Sequence, residues 1–304
     1  GGPMVEAVGW RAIFMVQAPL CAVGFLIALW LLPNTARVRN VRFDLWGSVT
    51  LGVGASSLLA AISQGRSWGW GSGRTLIFLA VAVIAVPVFV AIERRTAAPL
   101  VVLAWFRTRN FAWPVLCQGL ANFAYMGGFF LIPQVLGKRG LGFGEATVGY
   151  LVIARPLAFS LVAPVAAATT MRVGERVAGI VGSLGVVTSM VLWSTVGLHT
   201  GTVLIIVATA MSGIGLGIAS PALTSLMAGS VASGDLGVAG AMQQLSTQLG
   251  SVLGSAVLAT VSATAGRADM SMFHVAFLVG GAVAALAACA AAQVQPQSGR
   301  TAAN

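Results

Sequence analysis

Nine long apolar stretches fill almost the whole chain, at about 12–32, 45–62, 76–92, 112–135, 147–169, 178–196, 203–228, 238–264 and 273–292, and the charged residues stand almost entirely between them. A run of about 18 or more apolar residues is long enough to cross a hydrocarbon core of roughly 30 Å as a helix. Only helices and closed barrels satisfy their own backbone in lipid, and these runs are too long and alternate too little for barrel strands. The fold class that follows is an all-α polytopic bundle of about nine transmembrane helices. A composition of 58% hydrophobic and 8% charged residues excludes an ordinary water-soluble domain.

The net charge of +10 does not indicate a nucleic-acid partner. The basic residues sit mainly in short connectors and are not interleaved with aromatics. Connectors alternate sides of the membrane. One set, with the tail, carries ten arginines: Arg37, Arg39, Arg42, Arg94, Arg95, Arg107, Arg109, Arg172, Arg176 and Arg300. The other carries six basic residues, Arg11, Arg66, Arg74, Lys138, Arg139 and Arg267. The positive-inside rule then puts the first set, and the C-terminus, in the cytoplasm of a cell whose plasma membrane holds the chain. Cys21, Cys117 and Cys289 all fall inside apolar runs without metal-ligand or disulfide spacing, and read as buried small hydrophobes. The opening Gly1, Gly2, Pro3 and Met4 has no positively charged segment or cleavage site and no initiator Met, which reads as a chain whose upstream part is missing. The Trp68, Gly69, Trp70, Gly71 connector suits an interfacial turn.

Several segments in order carry a resemblance. Gly9, Trp10, Arg11, Ala12, Ile13 and Phe14 followed by Pro19 resemble a Gly-Trp-Arg-Trp-Ile-Phe…Pro pattern. Phe43, Asp44 and Gly47 are similar to a Phe-Asp-x-x-Gly pattern. Glu93, Arg94 and Arg95, then Pro99, Leu100, Phe106 and Arg107, resemble a long cytoplasmic connector. Gly213, Gly215, Gly217 and Pro221 are followed by Gly237 and Gly240, then by Gln248, Leu249, Gly250 and Gly254. Together these resemble the fourteen-span drug:proton antiporters of the major facilitator superfamily, with the nine stretches as spans six to fourteen. The chain departs from that pattern at Thr247, where the family often has Arg, and in the reduced run Arg172, Gly174, Glu175, Arg176.

The resemblance implies a multi-pass exporter of drugs or other amphipathic small molecules that works by alternating access, with lipid, the transported molecule and protons as partners and no cofactor. It also implies an organisation: the end of span five and span six over 1–44, a linking span pair and connector over 45–111, a six-helix bundle over 112–292 and a cytoplasmic tail over 293–304. A facilitator of metabolites and a non-transporting membrane scaffold subunit are the alternatives. A construction with one half only cannot enclose a midplane cavity, so the fragment by itself is expected not to transport.

Arg155 is the sharpest single feature. It lies roughly 12 Å along its span at about 1.5 Å per residue, where a cation costs roughly 2.5–3.5 kcal/mol. It either serves a transport pathway, with Pro156 weakening the helix beside it, or snorkels or pairs structurally. Gln118 and Asn122, at i and i+4, continue into Tyr125 and Phe129 on one helical face, and fit drug binding or interhelical hydrogen bonding equally. Gln244, Gln248, Ser251 and Ser255 form one polar stripe, and the three amides Gln243, Gln244 and Gln248 favour cavity lining. Gly250 and Gly254, like Gly213 and Gly217, fit close helix packing, and Pro221 marks a flexing point. These in-bilayer polar groups are expected to face a shared aqueous lumen. His274 reads as a hydrogen-bonded span edge. All seven acids, Glu6, Asp44, Glu93, Glu145, Glu175, Asp235 and Asp269, fall in connectors or at span edges. A coupling acid is therefore expected in spans preceding this chain. No metal cluster or catalytic set is visible, so an enzyme is not expected.

Overall fold

The computed structural model describes residues 2–31, 44–96, 99–264 and 269–295. Arg37, Arg39, Arg42, Phe43, Arg267 and Arg300 lie outside the described residues, as do Gly1 and residues 296–304 of the tail. Among the described residues eleven α-helices follow one another: α1 (Gly2–Val8), α2 (Arg11–Leu31), α3 (Leu45–Trp68), α4 (Gly73–Glu93), α5 (Arg109–Leu136), α6 (Glu145–Val152), α7 (Ala154–Val173), α8 (Glu175–Ser194), α9 (Thr202–Gly229), α10 (Leu236–Val261) and α11 (Ser271–Ala292). Eight spans among the described residues are long and apolar enough to cross a membrane. The expected ninth span is also helical, as the 26-residue α10, but its glutamines, serines, threonines and glycines keep it out of that set. The chain is an all-α polytopic membrane protein.

Several boundaries differ from the sequence expectation, and the following have a local reason. The second span runs on through Trp68 and stops at Gly69, whose φ of +89° is a conformation glycine tolerates and other residues avoid. Ser72 then caps α4, its hydroxyl accepting from the Thr75 N–H at 3.3 Å. The 147–169 stretch is not one helix. Pro156 has no N–H to offer the Val152 carbonyl, and α6 ends there, with Ile153 a turn before α7 begins. At the other end of α7, Gly174 (φ +90°) turns the chain directly into α8.

Helix α5 is the centre of the bundle, packed against α10, α11 and α9. Helix α8 lies against α9 and α11, and α7 against α9. The α3–α4 hairpin leans on the bundle through α3 and α10, while α1 touches α6. No residue of α2 is buried. Lipid gives no hydrophobic drive for helices to associate, so close packing and hydrogen bonds must do it. The glycines show where. A Cβ at Gly250 would run into the Gly119 carbonyl, and one at Gly254 into that of Phe123. A Cβ at Gly213 would strike the Arg155 carbonyl, and one at Gly217 would sit 3.2 Å from that of Phe159. Gly215 meets Gly182 in the same way at 2.6 Å. Ser189 ties α8 to α9 by donating to the Ala208 carbonyl at 2.6 Å. The largest apolar cluster stacks Trp193 on Phe277, centroids 5.5 Å apart.

Of the cysteines, only Cys117 is buried; Cys21 and Cys289 are exposed on outward helix faces, so the reading of all three as buried small hydrophobes fails for two. A helix with one packed side leaves its other side to lipid, and apolar character alone does not distinguish the two.

Candidate substrate-pathway site

Arg155 is the second residue of α7, beside the break that Pro156 creates, and is 1% exposed. Its guanidinium lies over the Tyr125 ring, 3.4 Å from the centroid, and 5.2 Å from that of Phe129. Nη2 donates to the Tyr125 main-chain carbonyl, while Nε and Nη1 have no partner. A cation–π contact of this kind is worth about 2 kcal/mol when desolvated. The side chain therefore folds inward onto α5 and does not snorkel.

Gln118 and Asn122 continue the same face of α5 and are buried too. The Gln118 amide donates to the Ser220 hydroxyl of α9 at 3.3 Å, and its buried Oε1 has no partner. Asn122 donates to the Gln118 carbonyl at 2.9 Å. The structure thus brings Arg155, Tyr125, Asn122 and Gln118 into one stripe between α5, α7 and α9. This stripe is enclosed by helices among the described residues. The α10 amides divide differently. Gln243 is half-buried and donates to the Thr224 hydroxyl of α9 at 2.6 Å; Gln244 and Gln248 are exposed. Pro221 is half-buried within an unbroken α9.

Between α5 and α10 an open groove of about 580 Å³ is lined by Met126, Phe129, Phe130, Pro133, Gln134, Ser251, Val252 and Ser255. Phe129 belongs to both places: it lines this groove and carries Arg155 beside its ring. A more closed cavity of about 460 Å³ lies between the α3–α4 hairpin and the bundle, walled mainly by Leu51, Phe89, Val101, Trp113, Met242 and Leu249. Its lining offers almost nothing polar. The groove has the mixture that an amphipathic molecule needs: aromatic faces, a flexible Met, and hydroxyl and amide groups at separate points.

Sequence reasoning missed Ser220 and Thr224. Their i,i+4 spacing on α9, either side of Pro221, was the available signal. It also placed Asp44 and Glu93 at span edges without anticipating that both are buried, which no sequence pattern indicates. His274 meets the Val196 carbonyl at 2.8 Å through Nε2. Among the described residues no group of three or more His, Cys, Asp or Glu is placed to hold a metal ion.

No family model matches the chain. It is similar to the multidrug resistance protein Stp of Mycobacterium tuberculosis, 28% identical over 267 residues, which cover 86% of this chain and 49% of that protein. It is 31% identical over 270 residues to the tetracenomycin C resistance and export protein of Streptomyces glaucescens, covering 87% of the chain and 49% of the relative. With the multidrug transporter protein MdtP of Bacillus subtilis it shares 24% identity over 262 residues, 86% of the chain and 48% of the relative. The chain spans about half the length of these curated relatives. Over most of its length the chain is thus similar to proteins of multidrug and antibiotic resistance and export.

Proposed function

We propose that this chain forms the groove-bearing part of a bacterial plasma-membrane exporter that moves amphipathic, drug-like molecules by alternating access, driven by protons. The observation that carries this reading is the α5–α10 groove, whose volume of about 580 Å³ suits a drug-sized ligand and whose Phe129, Phe130, Ser251 and Ser255 supply stacking and hydrogen bonds. The similarity to resistance and export proteins supports export, and the resemblance of the sequence motifs to drug:proton antiporters supports proton drive. Arg155, behind Phe129, has two donor nitrogens unspent and becomes a ligand contact when α7 moves at its Ile153 break. The C-terminus is cytoplasmic in this reading, on the side of Arg94, Arg95, Arg172 and Arg176.

The test is drug accumulation. Expressed from its native gene in an efflux-deficient bacterium, the protein lowers the steady-state level of a fluorescent amphipathic cation, and a protonophore restores that level. Unchanged accumulation across a drug panel, with the protein present in the membrane, overturns the export reading. Export that survives the protonophore overturns the proton drive alone.

A further inference from the structure

Two of the seven acids are buried together where α3 begins and α4 ends. Asp44 is 6% exposed and Glu93 4%. Each has one carboxyl oxygen satisfied by the main chain. Asp44 Oδ1 accepts from the Gly47 N–H at 2.8 Å, which caps α3. Glu93 Oε2 accepts from the Val101 N–H at 3.3 Å, which folds the connector back onto the end of α4. Each also has one buried oxygen without a partner, Asp44 Oδ2 and Glu93 Oε1. Both oxygens border the same small space. A Cβ at Gly47 would collide with Asp44 Oδ2 and lie 3.0 Å from Glu93 Oε1, so the missing side chain of Gly47 leaves the space in which they meet.

Two ionised carboxylates cannot face each other there cheaply. Both would be acceptors without donors, and their like charges would repel. Among the described residues little around them offers compensation. Arg94 and Arg95 follow Glu93 in the chain and are exposed, as is Arg107 on the connector. Helix α10, which packs on α3, contains no charged residue. Arg66 and Arg74 belong to the opposite end of the hairpin. Among the described residues neither acid makes an ion pair. Arg37, Arg39 and Arg42 lie outside them. One proton placed between Oδ2 and Oε1 satisfies both orphaned atoms and leaves a single negative charge.

We propose that Asp44 and Glu93 form a proton-binding site, one proton shared between the two carboxyl groups, which ties the start of α3 to the end of α4 and holds the Val101 connector against them. Loss of that proton sets two anions against each other and loosens the hairpin base. This site is independent of the groove and of the export reading.

Infrared spectra of the detergent-solubilised 304-residue chain, recorded across a pH titration, test it directly, because only seven acids contribute. Free Asp and Glu side chains ionise near pH 3.9 and about 4.3. The expected result is a neutral-carboxyl C=O band that persists at about pH 6, where such free side chains are ionised, and that disappears in Asp44→Asn and in Glu93→Gln. Absence of the band in the unmodified chain at that pH overturns the proposal and needs no variant to fold. So does a band that survives Glu93→Gln. A band that appears only after a chelator strips divalent cations assigns the pair to a cation and likewise overturns it.

Discussion

At the scale of single residues, three sites make sharp predictions. Gly250 presses on the Gly119 carbonyl, so Gly250→Ala forces α5 and α10 apart. Overpacking of this kind costs about 1–3 kcal/mol, and a lowered unfolding temperature in detergent is the check. Arg155→Met roughly keeps volume and removes a buried cation with two unsatisfied donors, which offsets the lost contact with the Tyr125 ring. The expected outcome is a stably folded protein with drug export lost. Intact export with reduced stability would show that Arg155 only holds α5 and α7 together. Asp269 is fully exposed, and the Ser271 hydroxyl and N–H hold its carboxyl below the usual carboxylate range. A depressed carboxyl contributes order that is present above its unfolded pKa and lost as pH falls through the folded one. The first turn of α11 should therefore fray only in acid below about pH 4. Amide exchange at Ser271 reports it, and Asp269→Ala removes the pH dependence.

At the scale of elements, the break between α6 and α7 is the feature with most consequence. Pro156 withholds one hydrogen bond, and the helical ladder is interrupted at Ile153, two residues before the buried Arg155. Pro156→Ala restores a donor for the Val152 carbonyl and lets one helix run through. Slower amide exchange over residues 153–157 is the expected result. If the break is the joint on which α7 moves, export falls in the same variant although the helix is firmer. The α3–α4 hairpin shows a different logic. Its turn is set by Gly69 and Ser72, and its open end by two acids, so its two ends rest on unrelated chemistry.

At the scale of the whole molecule, the packing follows from lipid as solvent. Buried volume is concentrated in α5, α8, α9 and α11, where glycines, alanines and serines let backbones meet. Long apolar side chains such as Leu20, Trp30, Val83, Ile84 and Leu161 point outward. In water this surface would aggregate. The expected behaviour is extraction from membranes with detergent and none with high salt or alkaline carbonate. A soluble monomer in detergent-free buffer would contradict the membrane reading.

The sequence by itself determined the solvent, the helical class and nearly all the helix positions, because a bilayer imposes a length and a polarity on every span and local chemistry such as Gly69, Ser72 and Pro156 marks the ends. The more polar α10 is legible as a helix and less so as a span, since Gln243, Gln244, Gln248 and the serines dilute its apolar character. What only the tertiary structure decided is which polar groups meet. Arg155 finds the Tyr125 carbonyl 30 positions away, Gln118 finds Ser220 across 102, and Asp44 finds Glu93 from the far end of a hairpin. Such contacts depend on the rotation of each helix about its axis. That rotation is fixed by where glycines allow two backbones to touch, and a single apolar run carries almost no record of it.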